Sequence, residues 1–337
     1  QSVELELSQN VTLGRRKAGI QLARSQSELA EIVLDDYFRN LRADATIAYL
    51  EVMKQKQLCD IKRSAWNNMR DLAQSDSIRW TSGTIMEVEA IQSKLEADIM
   101  LNEVLQAETD MQLACTQLSP FTGTAVTDTL FHPSEVLQKP ERNFVLNKLI
   151  EAAIEHRSDL SAALKNTEVA RRELILAKRE KRPDLEFSLG WSHNNRVRNE
   201  EAPAPTFNGV SAGIAIPLNF SSLNRGSVNA ARFRVQQAEL QYSQMRLQVQ
   251  REVMEAYQQF QSQTLQLKHY EGGILKQARE VLDGKIYSYN RGEVSLLEIL
   301  NAQRTYDDVQ AQYIETLFNY NAALVELERS SGIWNMQ

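Results

Sequence analysis

The chain has 337 residues, with 44 acidic and 38 basic side chains, a net charge of −6 and 42% hydrophobic residues; its mean hydropathy is −0.42. That balance argues against a nucleic-acid-binding protein, and no window reaches the roughly 18 apolar residues of a membrane-spanning helix. Such a length suggests two domains. The absence of a starting Met and of a signal-peptide pattern points to a processed or trimmed chain.

Val3, Leu5 and Leu7 alternate with Glu4, Glu6 and Ser8, and Val11 and Leu13 follow with a slip of phase. This predicts a half-apolar strand over 1–13. From about Lys17 to about Ile78 no Pro or Gly interrupts the chain after Gly19. A helix of that length would run roughly 90 Å at 1.5 Å per residue, longer than an ordinary globular domain allows. Trp80-Thr81-Ser82-Gly83 reads as a turn, and a returning helix is expected from about Ile85 to Leu118, completing a helical hairpin over 14–119. Pro120, Pro133, Pro140 and a Thr-rich piece then predict irregular structure over 120–143, with a short strand at Ala125–Thr129. A short helix (Phe144 to His156) and a longer one (Asp159 to about Lys181) fill 144–182.

A β-hairpin is expected over 183–222. Leu185, Phe187, Leu189 and Trp191 share one face of its first strand; Val210, Ala212, Ile214, Ile216, Leu218 and Phe220 share one face of its second. Glu186, Ser188, Gly190, Ser211, Gly213 and Ala215 take the other side. Apolar-out, small-or-polar-in strands of this length suit a transmembrane β-barrel, and a water-soluble hairpin is the alternative. A second helical hairpin follows over 223–332, turning at Asn290-Arg291-Gly292.

The two helical hairpins are related. Ala48-Tyr49 matches Ala256-Tyr257 at an offset of 208; Gly83 matches Gly292, Glu89 matches Glu298, Leu118 matches Leu327 and Gly123 matches Gly332 at an offset of 209. One inserted residue, placed at Gly272-Gly273, accounts for the change. Ile299, Ala302, Tyr306, Val309, Tyr313, Thr316, Tyr320, Ala323 and Leu327 step 3-4-3-4, as do Ala90, Ser93, Ala97, Met100, Val104, Ala107, Met111, Ala114 and Leu118. That is the seam of a coiled coil. The first helix has the same step through Ile20, Ala23, Ser27, Ala30, Leu34, Phe38, Leu41, Ala45, Ala48 and Val52. Second stripes, Leu240, Leu247 and Met254 among them, would let a helix touch a neighbour on each side, as in the wall of a tube. An antiparallel bundle or coiled-coil spacer is the competing reading. The fold class expected is therefore mainly α with a small β part.

Enzyme chemistry lacks its residues. His132, His156, His193 and His269 are scattered, with no metal-ligand spacing, and there is no nucleophile elbow, phosphate loop or dinucleotide fingerprint. No cofactor or metal is called for. With a turn near Ser82, Cys59 would lie roughly 15 Å from Cys115, so no disulfide is expected.

The duplicated strand–helix–turn–helix plan, the stretch Tyr289-Asn290-Arg291-Gly292-Glu293-Val294-Ser295-Leu296-Leu297-Glu298 and the hairpin entry Arg182-Pro183-Asp184-Leu185 together resemble the TolC-type outer membrane channel family. The first turn, with Trp80-Thr81-Ser82 before its Gly, matches more loosely, and Glu stands in both copies where many members have Asp. The resemblance implies a homotrimer in the outer membrane of a Gram-negative bacterium, with a twelve-stranded β-barrel in the lipid and a twelve-helix α-barrel in the periplasm. It also implies docking on a periplasmic adaptor protein and an inner membrane pump. The family needs four strands per chain; three are found, so its opening helix and first strand are absent from this stretch. The implied docking tips are Gly83, Thr84 and Ile85, and Gly292, Glu293 and Val294. The candidate gate charges are Arg79, Glu89, Arg291 and Glu298. The expected lipid-facing residues are Leu185, Phe187, Leu189, Trp191, Val210, Ile214 and Ile216. Ile216-Pro217-Leu218-Asn219 and Asn224-Arg225-Gly226 are similar to the cation-efflux (CzcC-like) branch, so the cargo expected is metal cations or small toxic compounds. A protein-secretion channel of the same family is the alternative cargo reading. Acidic residues of the returning helices either line a cation-favouring lumen or pair with the basic outgoing helices.

Overall fold

A computed structural model describes residues 2–12, 14–123, 135–181, 184–196, 205–216 and 223–334. The elements run β1 (Ser2–Val11), α1 (Arg15–Thr81), α2 (Glu87–Thr122), α3 (Leu146–His156), α4 (Ser158–Arg179), β2 (Leu185–Asn194), β3 (Phe207–Ala215), α5 (Leu223–His269), a π-helical turn (Tyr270–Ile274), α6 (Leu275–Asn290) and α7 (Leu296–Ser331). The strand expected at Ala125–Thr129 lies outside the described residues. The chain divides into two units: Gln1–Asp36 with Ser158–Gln248, and Tyr37–Arg157 with Val249–Gln337.

The first unit holds a three-stranded antiparallel sheet in the order β1-β2-β3. Ser2 pairs with Asn194 and Val11 with Leu185 in unbroken register, so the slip of phase expected near Val11 does not occur; Gln9 sits on the apolar face opposite Phe187. That face carries Val3, Leu5, Leu7, Phe187, Leu189, Trp191, Val210 and Ile214, all exposed. The opposite face is small. Gly190 pairs with Ser211, Gly209 with Ser192 and Gly213 with Ser188. A Cβ on any of these glycines would lie 2.4 to 2.8 Å from the serine hydroxyl across the strand, so each serine leans into the space its glycine leaves. Beside the sheet, Ala177, Val228 and Ala231 let α4 and α5 approach closely. Lys165 bridges Glu28 of α1 and Glu168, and Arg171 meets Glu239 at 2.7 Å.

The early seam expected on α1 is corrected here. Ile20, Leu34 and Phe38 are exposed, and Ala18 and Ser25 are buried instead. Small side chains on that line permit close helix contact, while the bulky line is left uncovered within the single chain. In the second unit the seam of α2 is buried at Ala90, Ser93, Ala97, Met100, Val104, Ala114 and Leu118. That of α7 is buried at Ile299, Ala302, Thr316, Tyr320, Ala323 and Leu327.

The returning helix α2 does not stop at Leu118; it runs through Pro120 to Thr122 and ends on Gly123 with φ +67°. Proline cannot donate to the carbonyl four residues back. The Ser119 hydroxyl donates to that Thr116 carbonyl at 2.8 Å instead. A π-turn accommodates one extra residue in a helix, and it falls at Gly272-Gly273. Cys59 and Cys115 are both buried and form no disulfide.

Candidate functional site

The ends of the two helical hairpins are built alike. The Gly83 amide donates to the Trp80 carbonyl and the Thr84 amide to the Arg79 carbonyl, each at 2.8 Å; Gly292 donates to Tyr289 at 2.9 Å and Glu293 to Ser288 at 3.0 Å. Both are Schellman closures, which need a left-handed residue after the helix. Both glycines supply it, at φ +75°. This is the reason for the Gly in each turn. The acidic residue six positions later is likewise structural in part. Glu89 is the third residue of α2, and its carboxylate accepts from the Met86 amide at 3.4 Å. Glu298 holds the same place in α7, where it meets Lys285 at 2.7 Å. Lys285, and to a lesser extent the Ser295 amide, holds the Glu298 carboxyl below its ordinary range.

Behind the turns the two hairpins share one core of Met69, Ala73, Ala97, Met100, Tyr289, Leu296, Ile299 and Leu300, with Val294 packed against it. A polar contact is enclosed in it. The Tyr289 hydroxyl donates to Asp76 Oδ1 at 3.0 Å, Arg79 lies 3.6 Å from the same oxygen, and the Arg79 guanidinium sits over the Tyr289 ring at 4.9 Å. Asp76 is fully buried. Desolvation raises its carboxyl above the ordinary range despite those donors, and desolvation together with Asp76 raises the Tyr289 phenol. A lone carboxylate bridging two helical hairpins links their positions: separating the hairpins leaves a donor and an acceptor unmatched.

A second buried acid lies higher. Asp307 of α7 accepts from Gln303 at 2.8 Å. Burial pushes its carboxyl up to about 6, with Lys62 opposing and Glu103 and Asp308 adding to the rise. Around it, Arg304 pairs with Glu96 at 2.6 Å, Lys62 with Glu103 at 2.8 Å, and Arg63 with Glu108. Glu96, Glu103, Glu108 and Glu298, acids of the returning helices, are therefore engaged by bases within the chain.

The four candidate gate charges do not pair with one another. Arg79 faces Asp76, Glu89 caps α2, and Glu298 holds Lys285. Arg291 meets Glu293 at 2.9 Å and the Tyr287 hydroxyl at 3.0 Å. Thr84 and Glu293 are donors of the closures, and Ile85 is half-buried. Of the strand residues, Phe187, Leu189, Trp191, Val210, Ile214 and Ile216 are exposed and Leu185 is half-buried. Sequence reading missed Asp76. Its signal was a single acid on the line Met69, Ala73, Asp76, Trp80, where a coiled-coil seam carries apolar residues.

Long paired helices and an antiparallel sheet with an uncovered apolar face are the plan of this chain. Residues 149–333 match the family described as outer membrane efflux protein. The chain is similar to the cobalt-zinc-cadmium resistance protein CzcC of Cupriavidus metallidurans, 23% identical over 321 residues that cover 95% of this chain and 74% of that protein. In structure it is similar to the CmeC outer membrane channel of Campylobacter jejuni (TM-score 0.80, 14% identity, 98% of this chain and 71% of that one). It is also similar to CusC (TM-score 0.79, 17% identity, 99% and 78%). The protein belongs to the outer membrane efflux protein family: a TolC-like channel protein of the Gram-negative outer membrane, and not an enzyme.

Proposed function

We propose that the protein is the passive exit duct of a tripartite efflux system. Three copies close a β-barrel in the outer membrane, and their helical hairpins form a tube through the periplasm. The tips at Gly83-Thr84-Ile85 and Gly292-Glu293-Val294 dock on a periplasmic adaptor and its inner membrane pump. The observation that carries this reading is the sheet, with one face apolar and exposed and the outer edges of β1 and β3 unpaired among the described residues. In water such a sheet invites aggregation; in a barrel its apolar face meets lipid and its edges meet other strands. Further stripes support neighbouring copies: Val88, Ile91, Leu95, Ile99 and Leu105 on α2, and Phe233, Leu240, Leu247 and Met254 on α5, are all exposed.

In this reading the Asp76–Tyr289 contact holds the closed tip, and opening untwists the hairpins about their end turns. The cargo leans to metal cations, supported by the name of the CzcC relative and by the small face of the sheet. Glu4, Glu6 and Glu186 share that face with serines and glycines, so it would present a negative lumen to a passing cation.

The test is the full-length protein, sized in detergent and then incorporated in a planar bilayer. A trimer that conducts with cation preference, the preference weakened by Glu4→Gln, Glu6→Gln and Glu186→Gln together, is the expected result. A non-conducting monomer would reject the duct, and a conducting trimer indifferent to charge would favour protein or drug cargo.

A further inference from the structure

The one break in the second outgoing helix has no counterpart in the first. Helix α1 is continuous over 67 residues, including the stretch around Ser64 that matches Gly272-Gly273. The second copy is interrupted by a π-turn at Tyr270–Ile274, in which Gly273 adopts φ +130° and ψ −8°. That conformation is open to glycine and strained for other residues. Below it, α6 is a separate helix of 16 residues that ends at Asn290 and the second tip.

The break is also held from outside. The segment before α3 crosses α7: the Tyr320 hydroxyl donates to the Pro140 carbonyl at 2.6 Å, and Asn321 donates to the Gln138 carbonyl at 3.1 Å. Between these anchors, Lys139 reaches Glu271 inside the π-turn at 2.6 Å. From the other side, the Tyr270 hydroxyl donates to Gln312 of α7 at 3.0 Å, and the Tyr270 and Tyr313 rings meet edge-on at 6.4 Å.

The geometry points to a pivot and a catch. The Gly272-Gly273 break is the hinge on which α6 swings, and the Lys139–Glu271 ion pair is the catch that fixes it. Hinges are a few residues that absorb a large backbone change, and π-turns recur at functional positions. The inference rests on the duct reading for what the motion accomplishes. It differs from that reading in placing the moving joint at the head of α6 and in the second hairpin alone.

Amide hydrogen exchange of the full-length protein in detergent, read beside bilayer conductance, tests it. Lys139→Glu should speed exchange across Leu275–Asn290 by about tenfold, as for a local opening eased by loss of one ion pair, and leave α1 unchanged. Adding Glu271→Lys should restore the slow rate. Lys139→Ala should act like Lys139→Glu, more weakly. Deleting Gly273, which gives the second copy the register of the first, should slow exchange in α6 and make channel openings rarer. If α6 exchange ignores Lys139→Glu, or the charge-swapped pair is not restored, the pivot is overturned even in a protein that conducts normally. If exchange responds as expected and no variant conducts, the pivot stands and the duct reading falls.

Discussion

The two hairpin ends share a backbone and differ in nearly every side-chain contact. Their closures use the same hydrogen bonds, both turn glycines have φ +75°, and both returning helices have 36 residues ending on a left-handed Gly. Yet Trp80 is 43% exposed and its counterpart Tyr289 only 4%. Tyr289 turns inward because its hydroxyl finds Asp76. The position matching Asp76 in the second copy is Lys285, which turns to Glu298 on the surface. The first tip thus presents Ile78, Trp80, Met86 and Val88 to its surroundings, and the second is laced with ion pairs. A duplicated chain keeps what the backbone demands, and its side chains diverge once the two copies pack against each other.

Asp98 and Asp307 also occupy matching positions, one exposed and one buried. Burial raises the Asp307 carboxyl from 3.8 to about 6, so the folded protein binds that proton more tightly than the unfolded chain. The cost is fully present above about pH 6 and is relieved as pH falls toward 4. Asp307→Asn should therefore stabilise the protein at pH 7 by about 2–3 kcal/mol and flatten that part of the profile. Asp98→Asn, on the exposed counterpart, should change stability by no more than about 0.5 kcal/mol. Thermal unfolding in detergent across pH 4 to 8 checks both, and a destabilised Asp307→Asn protein would mean that the Lys62 attraction outweighs burial.

Asp76→Ala removes the acceptor of Tyr289 and the partner of Arg79. It should cost about 2 kcal/mol, the penalty for a stranded buried donor, and raise bilayer conductance if the contact holds a closed tip. Lys285→Ala, at the matching position, should leave the unfolding temperature close to that of the parent. Gly83→Ala and Gly292→Ala each force a side chain into the left-handed region at roughly 1–2 kcal/mol, and the two losses should be equal. Unequal losses would show that the tips differ in backbone as well. Smallest, Tyr289→Phe should cost about 1 kcal/mol for its hydrogen bond, whereas Trp80→Phe should stay within about 0.5 kcal/mol, as surface changes do.

Much of the fold was legible in residue spacing. The 3-4 step put much of the α2 and α7 seams where burial finds them, alternation placed the faces of β2 and β3, and a change of offset put one inserted residue at Gly272-Gly273, where the π-turn lies. Less of the tip was legible: its glycines were found, while Asp76 and the partners of the four candidate gate charges were not. These are properties of separate kinds. Periodicity, glycine and local capping act within one turn or one strand, so the sequence by itself determined the elements, their faces and the closures at both tips. Which of two apolar lines on α1 is covered, and why Tyr289 points in while Trp80 points out, depend on groups elsewhere in the fold, for Tyr289 the one buried carboxylate of Asp76. Those outcomes only the tertiary structure decided, because burial and hydrogen-bond partners are set by neighbours distant in sequence.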